Sequence, residues 1–165
     1  MGNLPETIIF KNMQISDILT PERMLCHVQA TSKKRALEYF SKLLAIDTSL
    51  TSHEIFESLL GRERLGSTGL GKGIAIPHAR VTQCNVTLAA FLQLEKGIDF
   101  DAIDKKPVDL LFALMVPENS TEEHLEILAQ LVNMFSEKEF REKLRNVPDC
   151  REKFDLLIHW QPLPH

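Results

Sequence analysis

The chain reads as a single α/β domain, a mixed β-sheet flanked by helices on both sides. Three observations predict that class. Segments whose apolar residues recur at helical spacing alternate with short apolar runs. Two of those runs, 86–94 and 108–116, are apolar on nearly every position, as strands covered on both faces are. The chain has 165 residues, 44% hydrophobic and 25% charged, which is enough for one sizeable core.

The elements follow in order. Residues 1–20 read as irregular to weakly structured, punctuated by Pro5 and Pro21. Met24 to Gln29 alternates in character and predicts a short strand. Ala36, Leu37, Phe40, Leu43 and Leu44 have helical spacing, so 32–46 reads as an amphipathic helix. Thr51 and Glu54 form a capping box, with Leu50 and Ile55 placed as its hydrophobic staple. That helix should end near Gly61. Ile74-Ala75-Ile76 reads as a strand stopped by Pro77. In strand 108–116 only Asp109 breaks the apolar run. Ser120 with Glu123, Ser136 with Glu139 and Asp149 with Glu152 mark helix starts, giving helices over 121–135, 137–145 and 150–160. No internal repeat, low-complexity tract or linker divides the chain, so 1–165 is one domain with its core at 15–160.

Composition excludes several classes. The net charge of -4 argues against nucleic acid as a partner and for a partner with a basic face. No charged-then-apolar leader opens the chain, and no apolar run approaches a membrane span, so no membrane insertion is expected. Cys26, Cys84 and Cys150 are odd in number and widely spaced, and form neither a metal knuckle nor a disulfide framework. A cytoplasmic, reduced protein is the expectation. No two histidines have metal-ligand spacing, so no metal site is expected.

The most informative stretch runs from Gly66 to His78. Its glycines let backbone N–H groups turn toward an anion. Ser67 and Thr68 add hydroxyl donors beside Gly69, so these three are candidate phosphate-binding residues. His78 follows the short strand as a neutral nucleophile. A phosphate cradle beside an imidazole is what a phosphohistidine site needs. The rival is a nucleotide P-loop, since Gly66, Gly71 and Lys72 fit its first seven positions. Its eighth position needs Ser or Thr and is Gly73 here, and a P-loop runs strand to helix where this segment runs helix to strand. A plain mobile loop is the bland alternative.

The chain resembles the IIA family of the bacterial phosphotransferase system, in its fructose/mannitol/nitrogen-regulatory branch. The match is carried by Arg62-Glu63-Arg64-Leu65-Gly66-Ser67-Thr68-Gly69 and Gly73-Ile74-Ala75-Ile76-Pro77-His78. It continues in Phe100-Asp101-Ala102-Ile103-Asp104, Pro107-Val108-Asp109-Leu110-Leu111-Phe112, Val116-Pro117 and His124-Leu125. Ala79 departs from the glycine that many members have there, and should stiffen the local loop. The glycine loop and the Phe-Asp-Ala-Ile-Asp segment look most like the regulatory branch.

The resemblance implies roles. His78 accepts a phosphoryl group on Nε2, with its other ring nitrogen oriented by the backbone. His124 is a second active-site histidine, and Arg62 the active-site arginine. The residues themselves allow this. A guanidinium grips phosphate with two parallel hydrogen bonds. The positive end of a helix dipole keeps an imidazole such as His124 neutral and favours a nearby anion. The bland readings are a solvated histidine near a helix start and a solvated loop cation, the reading kept for Arg64. Asp101 and Asp104 read as turn residues. No cofactor is implied, because the donor is already activated. The implied partners are an HPr-like phosphocarrier of NPr type and regulatory targets such as potassium-transport or sensor-kinase proteins. Two alternatives remain open: a sugar-uptake IIA that relays phosphate to a IIB component, and a binding module with an inactive site.

Overall fold

The computed structural model describes residues 13–162. The readings made for 1–12, Pro5 included, lie outside the described residues. Among the described residues, six strands form one mixed sheet: β1 (Met24–Val28), β2 (Gly69–Gly71), β3 (Ile74–Ala75), β4 (His78–Val81), β5 (Leu88–Ile98) and β6 (Val108–Pro117). The strand order is β1-β5-β6-β3-β2, with β4 also pairing to β6. β5 and β6 are antiparallel, while β1 runs parallel to β5, and β3 and β4 run parallel to β6.

Alternation along the two central strands builds two cores. Ala90, Leu92, Leu111, Ala113 and Met115 face helices α2 (Lys33–Ala45) and α3 (Ser52–Leu65) through Leu37, Phe40, Leu44, Ile55 and Leu59. Ala89, Phe91, Leu110, Phe112, Leu114 and Val116 face the other side. There they meet Ile127 and Leu131 of α4 (Thr121–Ser136), Leu144 of α5 (Lys138–Asn146) and Leu157 of α6 (Cys150–His159). The helices thus cover both faces, as expected. Among the described residues no helix is long and apolar enough to cross a membrane.

Four local readings are sharpened or corrected. Within 1–20, Ile15–Ile18 form a helical turn, α1, opened by a hydrogen bond from Gln14 N–H to the Asp17 carboxylate. Four residues are too few to show a period. Helix α3 does not stop at Gly61 but continues to Leu65. Arg-Glu-Arg-Leu are good helix formers, and Gly61 is exposed with open space around it, so its flexibility is tolerated. Thr51 does cap α3, its hydroxyl accepting from Glu54 N–H at 3.1 Å. Ser136 does not begin α5; its hydroxyl donates back to Asn133 O, and Glu137 takes the cap position.

The fourth correction concerns the cysteines. Cys26 in β1 and Cys150 at the start of α6 are joined in a disulfide, with Cα atoms 5.8 Å apart. The partners lie 124 residues apart in sequence, so their pairing is a product of α6 docking on the edge strand β1 and leaves no local spacing to read. Cys84 is free and buried.

Candidate active site

Pro77 and His78 sit in a strand line that continues through the proline. Ile74 pairs with Leu110 and His78 with Leu114, at one constant offset along β6. Pro77 has no N–H to give, but its carbonyl accepts from Leu114 N–H at 2.9 Å. His78 therefore opens β4 rather than ending β3, and its backbone is paired to the central strand β6. Strand alternation buries Ala79 and Val81 and turns His78 and Arg80 to the opposite face.

The ring of His78 is oriented by its own backbone. Nδ1 lies 2.9 Å from Ile76 O. A carbonyl can only accept, so Nδ1 carries the proton and Nε2 keeps its lone pair. His78 is half-buried, and burial is the main cause that lowers its pKa from 6.5. The bond to Ile76 opposes that shift and the Arg62 and Arg80 charges reinforce it, with Glu63 pulling the other way. The neutral imidazole is thereby favoured.

His124 lies in the first turn of α4, where its N–H bonds Ser120 O at 3.0 Å. The ring is 7% exposed, and its centroid stands 5.1 Å from that of His78 at 67°. Among the described residues its Nε2 is buried without a hydrogen-bond partner. Burial first, then the fields of His78, Arg80 and Arg62, pushes its pKa down to about 4. A neutral histidine with an idle polar atom is costly unless something polar visits it.

Two cations complete the cavity. Arg62, in the last turn of α3, donates from Nη1 to Gly66 O at 2.9 Å, which leaves most of its fork for another acceptor. Arg80 reaches the same space from β4. The cavity has a volume of about 290 Å³ and is lined by Ser58, Arg62, Leu65, His78, Ala79, Arg80 and His124. It holds two guanidinium groups and no carboxylate, so it suits an anion next to a nucleophilic nitrogen.

The structure brings His78, His124 and Arg62 together but does not bring Ser67, Thr68 and Gly69 into that lining. The Ser67 hydroxyl donates to Phe100 O at 2.6 Å and accepts from Gly69 N–H at 3.0 Å. Thr68 is buried. Its N–H and hydroxyl both bond the Glu63 carboxylate, at 2.9 and 2.7 Å. Gly69–Gly71 form β2, an antiparallel hairpin with β3, so the glycine segment is not a P-loop. Gly69 is needed for packing: a Cβ there would press on Ala102. Arg64 is exposed and does not line the cavity.

Two further residues support the site. Arg80 was legible, because a residue two along a strand from His78 shares its face. Glu63 stands out in the sequence only as part of the segment Arg62–Gly69. It is buried, holds Thr68 by two bonds, and takes an ion pair from Lys33 at 3.1 Å. The same Lys33 ammonium bonds Asp101 at 3.1 Å and lies 4.7 Å over the Phe100 ring. This network pins the loop that follows Arg62. Nothing in the spacing of Lys33 and Glu63 announces it.

Residues 17–159 match the family described as phosphoenolpyruvate-dependent sugar phosphotransferase system, EIIA 2. The nitrogen regulatory protein of Pseudomonas aeruginosa is 45% identical over 150 residues, which cover 90% of this chain and 97% of that one. That of Escherichia coli is 40% identical over 153 residues, covering 92% and 94%. Among solved structures, the nitrogen regulatory protein IIA-Ntr of Neisseria meningitidis superposes with a TM-score of 0.84 at 43% identity, covering 87% of this chain and 98% of that one. The mannitol IIA of Escherichia coli shares the fold, with a TM-score of 0.72 at 24% identity and coverage of 84% and 98%. By the family match and by these relatives, 40–45% identical and named nitrogen regulatory protein, the chain belongs to the EIIA type 2 family of the phosphotransferase system.

Proposed function

We propose that this protein is a phosphoryl carrier and regulator whose Nε2 of His78 takes a phosphoryl group from an HPr-like phosphocarrier of NPr type. The observation that carries the reading is the Nδ1 bond of His78 to Ile76 O, which leaves Nε2 as the only ring nitrogen with a free lone pair. In the transfer, a new P–N bond forms at Nε2 while the donor's P–N bond breaks, and the donor imidazole leaves with the electron pair. Arg62 and Arg80 neutralise charge on the peripheral oxygens, and Nε2–H of His124 donates to one of them. No cofactor takes part, because the phosphohistidine donor supplies the driving force. Ser67, Thr68 and Gly69 serve the phosphoryl group by holding the loop that follows Arg62, rather than by touching it.

Phosphorylation would place about two negative charges on a face that carries none in its free form. Partners with apolar or acidic surfaces are then repelled, and partners with arginines attracted. That is how one histidine can report to regulatory targets such as potassium-transport or sensor-kinase proteins in the cytoplasm. A second reading is favoured by one relative. The fructose-specific EIIA component of Haloferax volcanii is 36% identical over 149 residues, so relay of the phosphoryl group to a IIB component is the alternative.

The test is incubation of the intact chain with phosphorylated carrier, followed by intact mass. Gain of one phosphoryl group in the parent and none in His78→Ala supports the carrier; persistent full labelling of the variant overturns it. Chasing the labelled protein with a IIB domain then separates the readings. Retention of the group favours regulation, and rapid loss favours relay.

A further inference from the structure

A second basic cleft lies at the other end of β6 from the two histidines. His78 pairs near the end of that strand, at Leu114, whereas this cleft lies against its beginning at Asp109. Its volume is about 530 Å³. We propose that it binds a small phosphate-bearing anion, independently of the chemistry at His78.

The central observation is Arg141 of α5. It lines the cleft, and the residue is only 7% exposed. Its Nη1 donates to Phe135 O at 2.8 Å. Yet among the described residues no ion pair joins it to a carboxylate. None of its nitrogens is sealed off without a partner, so the guanidinium reaches solvent through the cleft. A buried cation ordinarily has a counter-ion. Among the described residues the protein supplies none, and the cleft that Arg141 lines is open to solvent.

The rest of the lining fits an anion. Two carboxylates are present and each is occupied. Asp109 receives both arms of Arg145, at 3.0 and 2.8 Å. Glu142 stands 3.9 Å from Lys138. Once these pairs cancel, Arg141, Lys72 and Lys106 remain within the lining, with the Asp104 carboxylate just outside it opposing Lys106, in a protein of net charge -4. Lys138 opens α5, so the positive end of that helix dipole faces the same space.

The wall is also rigid. Gly71, Lys72 and Gly73 have φ of 91°, 58° and 82°, three left-handed residues in a row. The turn is held from both sides: Lys72 N–H donates to Asp104 at 2.8 Å, and Arg145 donates to Lys72 O at 3.0 Å. Only glycine fits at 73, where a side chain would collide with the Arg145 guanidinium. A cationic cleft of this size and stiffness admits a phosphate ester or a pyrophosphate, with the Arg141 fork on the phosphate oxygens.

The test is titration of the full chain with inorganic pyrophosphate, read as backbone amide shifts by heteronuclear NMR. The prediction is saturable shifts at Gly73, Lys138 and Arg141 that persist in an Arg80→Ala variant. In Lys72→Glu/Lys106→Glu, two changes at exposed positions, the apparent Kd should rise about tenfold or more. Arg141→Lys should weaken binding while keeping the charge; if that variant fails to fold, the lysine pair decides. Shifts confined to the surroundings of His78, linear unsaturable shifts at the cleft, or an unchanged Kd in the double variant would each overturn the proposal.

Discussion

The ring of His78 leans on the carbonyl of Ile76, two residues back in its own chain, at 2.9 Å from Nδ1. This one bond settles tautomer and aim together. It explains why the histidine sits immediately after a proline in a strand line: the Pro77 carbonyl serves the ladder to Leu114, the Ile76 carbonyl is left for the ring, and strand alternation sends His78 and Arg80 into the cavity.

Arg62→Ala, Arg80→Ala and His124→Ala should each slow phosphoryl transfer by roughly tenfold to a hundredfold, the size of one hydrogen bond to a charged group. For Arg80, which is exposed, the melting temperature should not move. Stopped transfer assays and thermal melts check both statements. Parent rates in all three variants would mean that none of them touches the phosphoryl group.

The titration of the two histidines should be visible in stability. Both pKa values are depressed in the folded state, that of His124 to about 4 against 6.5. Between those values the unfolded chain binds more protons than the folded one. The stability contributed by the neutral rings is therefore complete above pH 6.5 and is lost as pH falls toward 4. Urea midpoints across this window should decline with acidification, and decline less in His124→Gln. Equal slopes would show that His124 is not held neutral.

Thr68→Val separates two ways in which the glycine loop could act. The Thr68 hydroxyl donates to the buried Glu63 carboxylate at 2.7 Å, so its loss should destabilise the fold by about 1–3 kcal/mol. Transfer should fall only in step with the loosened loop. A large drop in rate at unchanged stability would mean that Thr68 contacts the phosphoryl group directly.

Reducing the Cys26–Cys150 disulfide should lower stability by about 2–4 kcal/mol, since it closes a long loop in the unfolded chain. It joins α6 to the edge strand β1, and β5 and β6 lie between β1 and the strand of His78. Phosphoryl acceptance should therefore be the same in Cys150→Ser as in the parent. Denaturant titrations with and without reductant, paired with transfer assays, check the two halves separately.

What the sequence made legible follows from range. The strands at 86–94 and 108–116 and the helices near 32–46 and 121–135 rest on periodicity, a local signal; the last three stand where expected, and the first is shifted to Leu88–Ile98. The union of Arg62, His78 and His124 was reached through motif resemblance, because they come from a helix end, a strand start and another helix's first turn. The hydroxyls of Ser67 and Thr68 illustrate the converse. A glycine-rich, hydroxyl-rich loop looks like a phosphate cradle until its donors are traced, and these go to Phe100 and Glu63. The disulfide, the Lys33–Glu63 pair and the Arg145–Asp109 fork are tertiary pairings over long separations, for which sequence spacing holds no signal.

The most direct measurement is heteronuclear NMR of the phosphorylated protein, to find which ring nitrogen of His78 carries phosphorus. With Nδ1 clipped to Ile76 O, the phosphoryl group must sit on Nε2, and the Nδ1 proton should remain observable and protected from exchange. A phosphoryl group on Nδ1, or on any residue other than His78, would contradict the account.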